Sequence, residues 1–130
     1  MNHEQMNKGQ EQLSLMAGTL GSQIVDKLKQ EMPELAEYVV GFGFGEIYAR
    51  EGLSLHQKEM LTIAVLLGQG DTANQLHFHF HAAQHVGLTA QELTEILLHC
   101  IPHVGIPRVM NGFRILAAVQ EERRAMESSP

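Results

Sequence analysis

Residues 54–87 read SLHQKEMLTIAVLLGQGDTANQLHFHFHAAQHVG, and this stretch predicts two consecutive α-helices joined by a tight turn. Between Met60 and Leu67 every residue except Thr62 is apolar. At 100° per residue these side chains cover nearly every direction, which is typical of a helix that is buried on most sides. The stretch therefore indicates an all-α fold arranged around a buried helix.

Capping-box patterns mark the starts of three helices, each with Ser or Thr followed three residues later by Glu or Gln. These pairs are Ser54 with Gln57, Thr72 with Gln75, and Thr89 with Glu92. Glycines and prolines that follow are typical helix ends. The pattern predicts helices over residues 55–69, 73–86 and 90–101.

Helical periodicity continues on both sides of this region. It predicts further helices over residues 4–17, 19–30, 34–50 and about 107–126. No run alternates apolar and polar residues between turns, as a strand would. A chain of 130 residues has the length of one ordinary domain. We therefore expect a single all-α domain, a compact bundle of about six or seven helices.

The composition narrows the possible functions. The chain has 9 Lys and Arg against 15 Asp and Glu, a net charge of −6, which disfavours nucleic acid and anionic membranes as partners. The polar start lacks the pattern of a secretory signal, and no apolar run is long enough to span a membrane. The single cysteine, Cys100, excludes an intrachain disulfide and a four-thiolate zinc site. A lone thiol is typical of a reducing compartment, so we expect a cytoplasmic protein.

Histidine is unusually frequent, with eight residues in the chain. On a helical projection His79 shares an arc with Leu76 and Ala83, while three other histidines lie on the opposite side: His77, His81 and His85. Their spacing of four residues could bind a metal ion. The alternative is a stripe that faces solvent or a second subunit, with Phe78 beside it pointing outward. We favour the stripe and predict no metal site.

Glu59 and His79 form the most suggestive pair in the sequence. Both lie on apolar faces of consecutive helices, so the two side chains can meet across the turn. A histidine oriented by a carboxylate is a general acid or base near neutral pH. The alternative is a core histidine that is satisfied by a backbone carbonyl, and the residues alone leave both possibilities open.

Other features of the sequence are weaker indications of a functional site. Glu46 and Arg50 are four residues apart, the spacing of a surface ion pair. His99 and His103 are also four apart, but Pro102 between them should disturb the helix. Three glycines close together are costly in a helix and suggest close approach of another helix or a ligand: Gly41, Gly43 and Gly45.

Taken together, these residues resemble the carboxymuconolactone decarboxylase family. Residues 41–71, GFGFGEIYAREGLSLHQKEMLTIAVLLGQGD, are similar to the family's Gly-Glu, aromatic, Arg and Gly-Leu lead-in, followed by its Glu-bearing buried helix. Residues 75–113, QLHFHFHAAQHVGLTAQELTEILLHCIPHVGIPRVMNGF, resemble its second half, with Leu-Leu-His and Gly-x-Pro followed by Asn. The resemblance covers about residues 37–119. It implies one family domain over residues 1–130, with its core at about 33–126, that assembles into trimers or hexamers.

The resemblance also implies roles for particular residues. The family's reactive histidine falls on His79 and its helix-borne glutamate on Glu59, which would be the catalytic pair. The family's lead-in Glu and Arg fall on Glu46 and Arg50, and its Leu-Leu-His histidine on His99, which would be substrate-binding positions. The neighbouring His103 is our own addition to this set. The implied reaction is cofactor-independent decarboxylation of a carboxylated unsaturated lactone or a related small carboxylic acid in aromatic compound catabolism, with His79 as the proton donor.

The sequence departs from its relatives at several positions. Members of the superfamily that are similar to alkylhydroperoxidase D carry Cys-x-x-Cys before the reactive histidine, where this chain has Thr72 and Gln75. Peroxidase chemistry with a dithiol is therefore not expected. The Tyr before Gly-x-Pro in decarboxylases is His103 here. Two alternatives stay open: an oligomeric small-molecule-binding protein with a different specificity or no activity, and a divergent redox protein using Cys100.

Overall fold

A computed structural model describes residues 2–128 of the chain. These residues form α-helices and one π-helix, with no strand among them. The elements are α1 (His3–Ala17), α2 (Thr19–Glu31), α3 (Pro33–Ala36), the π-helix (Glu37–Tyr48), α4 (Leu55–Gln69), α5 (Ala73–His85), α6 (Ala90–Val104) and α7 (Ile106–Glu127). The predicted all-α class is confirmed.

The chain divides into two compact units, residues 1–58 and residues 59–130. The first contains α1 to α3, the π-helix and the start of α4. The second contains the rest of α4 with α5, α6 and α7. The expectation of one domain over residues 1–130 stays a prediction.

Close backbone contact defines the first unit. A Cβ atom on Gly9 of α1 would collide with the carbonyl oxygen of Val40, and one on Gly45 would lie 2.5 Å from the carbonyl oxygen of Gln5. The π-helix and α1 therefore approach each other at positions where only glycine leaves room. The glycine cluster was expected to allow close approach of either another helix or a ligand. Gly45 confirms the approach of another helix.

The predicted helix over residues 34–50 is wrong in type and in its end. Pro33 starts an α-helix as expected, but from Glu37 the backbone follows a π-helix, which ends at Tyr48. The segment is apolar on most sides and includes three glycines, so it has no defined hydrophobic face. Without such a face, the sequence pattern does not distinguish the 3.6-residue period of an α-helix from the longer period of a π-helix. As a result, Arg50 lies beyond the helix, and the i, i+4 argument for Glu46 and Arg50 does not apply.

The second unit has its own hydrophobic core, to which α4, α5, α6 and α7 all contribute. Ile63, Phe80, Leu93, Leu97 and Val119 have no exposed surface. Gly112 of α7 allows the packing, because a Cβ there would lie 2.7 Å from Cδ1 of Leu67. The buried helix predicted from residues 60–67 supplies Ile63 and Leu67 to this core.

Two of the three capping boxes are confirmed. Ser54 and Gln57 exchange hydrogen bonds of 2.9 and 3.1 Å, and Thr89 and Glu92 exchange two of 3.0 Å. The third is wrong, because the Thr72 hydroxyl donates to the Leu66 carbonyl oxygen at 2.6 Å and makes no cap bond.

The predicted end of α6 at residue 101 is also wrong. The helix passes through Pro102 to Val104, where Gly105 ends it with φ 90° and a 3.0 Å bond from its N–H to the carbonyl oxygen of Ile101. Proline lacks a donor but keeps a helical φ, so one lost bond did not end the helix. Within the described residues, no helix is both long and apolar enough to cross a membrane.

Gly9→Ala should lower the free energy of unfolding by about 1–3 kcal/mol, because the new methyl group forces α1 away from the π-helix. Gly43→Ala is the matched control, since its Cβ would meet only the Tyr38 carbonyl oxygen at an ordinary 3.6 Å. Urea denaturation followed by circular dichroism measures both. A Gly9→Ala variant as stable as the Gly43→Ala variant would contradict the close contact.

Candidate active site

A buried carboxyl–imidazole pair lies within the second unit. Oε2 of Glu59 is 2.9 Å from Nδ1 of His79. Glu59 has no exposed surface, and 11% of the His79 side chain is exposed. Of the two possibilities that the sequence left open, the structure shows the contact between the side chains, with a carboxylate rather than a backbone carbonyl at Nδ1.

The turn between α4 and α5 makes this contact possible. Gly70 has φ 74° and Asp71 has φ 56°, so two successive residues in the left-handed region reverse the chain between the helices. Glu59 lies in the second turn of α4 and His79 in the second turn of α5. Their positions on the facing sides of this helical hairpin follow from the 3.6-residue period.

The surroundings of Glu59 leave one of its oxygens unsatisfied. Oε1 is buried and has no hydrogen-bond partner among residues 2–128. Buried polar atoms are nearly always paired, so an orphaned carboxyl oxygen is unusual and is costly in free energy. A catalytic role is one explanation for such an atom.

The His79 ring also packs against an aromatic residue. The Phe78 ring is nearly perpendicular to the imidazole, with 83° between the planes and ring centroids 4.9 Å apart. Phe78 is 7% exposed, so the expectation that it points outward is wrong.

The opposite side of α5 differs from its predicted arrangement. His81 is buried, and His85 is exposed. Nε2 of His81 and Nε2 of His77 each lie 2.8 Å from Oε2 of Glu122. Hydrogen bonds from His77 and His81 hold the pKa of Glu122 below its ordinary value. Two of the three stripe histidines thus face α7.

Sequence reasoning did not find Glu122. It lies in the run Gln120–Arg124 of the last helix, where charged residues give no sign that one of them contacts α5. Only its register, one or two turns after the buried Leu116 and Val119, could have suggested a position near the core edge.

His99 and Cys100 line a cleft of about 420 Å³ between α4 and α6. Its other lining residues are mainly apolar or acidic: Met60, Leu61, Ala64, Gln91, Glu92, Glu95 and Ile96. The His99 and His103 rings, which we did not expect to be preorganised, have centroids 5.7 Å apart because α6 continues through Pro102. Burial raises the pKa of the Cys100 thiol above its ordinary value.

The remaining predicted site residues lie in the first unit. Glu46 Oε1 accepts a hydrogen bond from Gln5 Nε2, and the Arg50 carbonyl oxygen accepts one from Lys58 Nζ. Arg50 and Glu46 line an open cleft beside α1 with Lys8. The structure thus pairs Glu59 with His79, brings His99 close to His103, and places Glu46 near Arg50.

Comparison with known proteins decides the family. The model of the carboxymuconolactone decarboxylase family matches residues 33–118. The chain belongs to this family. It is 32% identical over 111 residues to a 4-carboxymuconolactone decarboxylase from Acinetobacter baylyi, covering 82% of this chain and 81% of that protein. It is also 28% identical over 101 residues to the nitrosuccinic acid decarboxylase of Metarhizium robertsii, covering 75% and 70%.

The matched region contains both members of the buried pair. Glu59 and His79 lie well inside residues 33–118, as do Glu46, Arg50, His99 and His103, whereas Glu122 lies beyond it. The family resemblance seen in the sequence is therefore confirmed. Of the three side chains that meet beside α7, His77 and His81 lie inside the matched segment and only Glu122 lies outside it.

Cys100 should react slowly with iodoacetamide in the native protein, because its raised pKa leaves little thiolate and the side chain is buried. Mass spectrometry of alkylated protein at neutral pH, with and without denaturant, measures the difference. Native labelling as fast as denatured labelling would contradict it. We also expect no Cys100-dependent reduction of an organic hydroperoxide by a dithiol.

Proposed function

We propose that this chain is a cofactor-independent decarboxylase of small carboxylic acids, in which His79 delivers the proton that replaces CO2. The observation that carries this proposal is the Glu59–His79 contact, buried within the segment that matches the family. An imidazole held by a carboxyl group is suited to proton transfer near neutral pH. The two decarboxylases to which the chain is similar support the reaction class.

The proposed reaction begins when the bond between the substrate's carbon and its carboxylate breaks. CO2 leaves without the bonding electron pair, which passes into an adjacent electron-accepting group such as the lactone carbonyl, giving a dienolate. A proton then moves from His79 to the carbon, and solvent returns a proton to the imidazole. No oxidant or reductant is consumed.

The two residues of the pair would have different tasks. Glu59 Oε2 fixes the ring through Nδ1, so Nε2 is the nitrogen that would pass the proton to the substrate. Glu59 would also stabilise the imidazolium form after solvent protonates the ring. In this scheme Glu59 is a positioning residue, and only His79 touches the reacting carbon.

An acidic protein that binds an acidic substrate requires local positive charge. His99 and His103 in the second unit and Arg50 in the first are the candidates for binding the carboxylate or polarising the carbonyl, with Glu46 as a neighbour of Arg50. The cleft that His99 lines has the size of a small-molecule site, and most of its surface is apolar.

The names of the relatives suggest a substrate class. An unsaturated lactone and a nitro group can both accept the electron pair that CO2 leaves behind. We propose that the substrate is a small carboxylic acid with such an acceptor next to the carbon that loses CO2. 4-Carboxymuconolactone and nitrosuccinate are the two compounds to assay first.

His79→Gln should lower the rate of decarboxylation by about 10²–10⁴, because the amide can still hydrogen-bond Glu59 but cannot act as a proton donor. His79→Ala should be equally inactive, although it leaves the buried carboxyl without a partner and costs about 1–3 kcal/mol of stability. CO2 release and loss of lactone absorbance measure activity, and circular dichroism checks folding.

His85→Ala is the matched control, since this exposed histidine lies on the same helix and away from Glu59. It should retain the activity of the unmodified chain. Glu59→Gln should lower kcat more than it changes KM and should alter the pH profile, which a purely structural role would not do. Substrate binding without turnover by the unmodified chain would instead indicate a binding protein.

We further propose that the chain assembles as a homo-oligomer, a trimer or hexamer as the family resemblance implies. Leu61 and Val65 are exposed one helical turn apart on α4 of the second unit. Paired exposed side chains of this size are typical of a surface that is covered on assembly.

Val65→Lys should therefore reduce the mass of the assembly, because a lysine would be buried in the contact without a partner. Light scattering at micromolar concentration measures the mass. Asn74→Lys adds the same charge at an exposed polar position and should leave the mass unchanged. A stable monomer of 14.5 kDa for the unmodified chain would contradict the proposal.

A further inference from the structure

A second cluster of titratable side chains lies on the side of α5 opposite His79. The Glu122 carboxylate of α7 accepts hydrogen bonds from two histidines of α5. Nε2 of His77 is 3.0 Å from Oε1 and 2.8 Å from Oε2 of Glu122, and Nε2 of His81 is 2.8 Å from Oε2. The three ligand atoms lie within 4.8 Å of one another. All three residues belong to the second unit.

We propose that His77, His81 and Glu122 bind a divalent transition-metal ion and that this ion ties α5 to α7. Two imidazoles four residues apart on a helix with one carboxylate from another element form a donor set that suits zinc and its neighbours. Magnesium and calcium take oxygen ligands, so they should not compete.

Binding an ion requires rearrangement of the three side chains. Metal–nitrogen distances of about 2.0–2.1 Å in a tetrahedral site set neighbouring ligand atoms about 3.3 Å apart. Glu122 therefore has to withdraw by about half an ångström from each histidine, and the ligand atoms, which now lie within 4.8 Å of one another, have to close to that separation. Its side chain is 50% exposed and His77 is 39% exposed, whereas His81 is 8% exposed. The open side leaves room for a water molecule as the fourth ligand.

One neighbouring charge acts against the ion. Nη1 of Arg123 lies 3.4 Å from Nδ1 of His81. When Nε2 binds a metal, Nδ1 of a neutral imidazole carries the proton, so it no longer accepts from the guanidinium. Arg123 is half-buried and has a flexible stem, so it can turn away. Arg123→Gln should consequently bind the ion at least as tightly as the unmodified chain.

The position on α5 separates this ion from the proposed chemistry. His79 is two residues from each metal-binding histidine, which places it roughly 160–200° away around the helix. An ion at His77 and His81 therefore cannot reach the carbon that His79 would protonate. Its role would be to link two helices of the core, which is a structural role.

The test uses full-length protein without a histidine tag, stripped with a chelator and then titrated with Zn²⁺ or Co²⁺, with Mg²⁺ as the negative control. Calorimetry gives the affinity for Zn²⁺, visible absorption reports the coordination of Co²⁺, and a thermal melt gives the shift in Tm. We expect one Zn²⁺ per chain, a tetrahedral Co²⁺ spectrum and a higher Tm, since binding only the folded state stabilises it.

The variants assign the ligands. His77→Ala and Glu122→Gln should each weaken the affinity for Zn²⁺ by at least about 100-fold. Removing a residue that only hydrogen-bonds a metal ligand costs up to about 100-fold, so a loss of at least this size is expected for a ligand itself. His85→Ala, which removes the third histidine of the stripe, should bind as the unmodified chain does. The metal-induced change in Tm is compared within each variant, so a variant that is less stable without metal remains informative.

Several results would overturn the proposal. No binding by the unmodified chain would mean that the cluster is a hydrogen-bonded network alone. Binding that survives His77→Ala and Glu122→Gln, or binding that is lost in His85→Ala or in a His99→Ala His103→Ala variant, would place the ion elsewhere.

Discussion

The second unit of the protein is organised around the contact between Glu59 and His79. A carboxyl group with no exposed surface is costly in free energy unless another group satisfies it, and here one imidazole nitrogen does so. This requirement fixes the register of α4 against α5 and the side of α5 that faces the core. The second oxygen of Glu59, Oε1, is buried with no hydrogen-bond partner among residues 2–128.

Helix α5 carries two sets of polar side chains on opposite sides, and this division organises the proposed functions. His79 faces the buried carboxyl group of α4, while His77 and His81 face Glu122 of α7. Residues two positions apart point to roughly opposite sides of a helix. The four histidines within residues 77–85 can therefore contact different neighbouring elements. Proton transfer and cross-linking of helices can therefore be proposed for the same short segment.

The errors of prediction have physical causes. The capping pattern at Thr72 failed because the Thr72 hydroxyl donates to the Leu66 carbonyl oxygen instead of capping α5. Pro102 was expected to end α6, but proline disrupts a helix mainly by removing one donor, and the rest of the helix remained bonded. The π-helix escaped detection because an apolar, glycine-rich segment has no face whose period can be measured. At Thr72 a neighbouring group decided the outcome, whereas at Pro102 and in the π-helix the local pattern did not distinguish between the possible structures.

The sequence by itself determined the all-α class, most helix bounds and the family, because these follow from periodicity, caps and the order of motifs along the chain. It placed Glu59 and His79 where they could meet but left a backbone carbonyl as the alternative partner of His79, and the structure decided between the two. The sequence could not show that His81 and Phe78 are buried or that Glu122 reaches two histidines. The contacts of Glu122 depend on which surface of α7 packs against α5, and residues some 40 positions apart carry no mark of that contact. The tertiary structure decided it, because burial and hydrogen bonding between distant helices are properties of packing rather than of either helix alone.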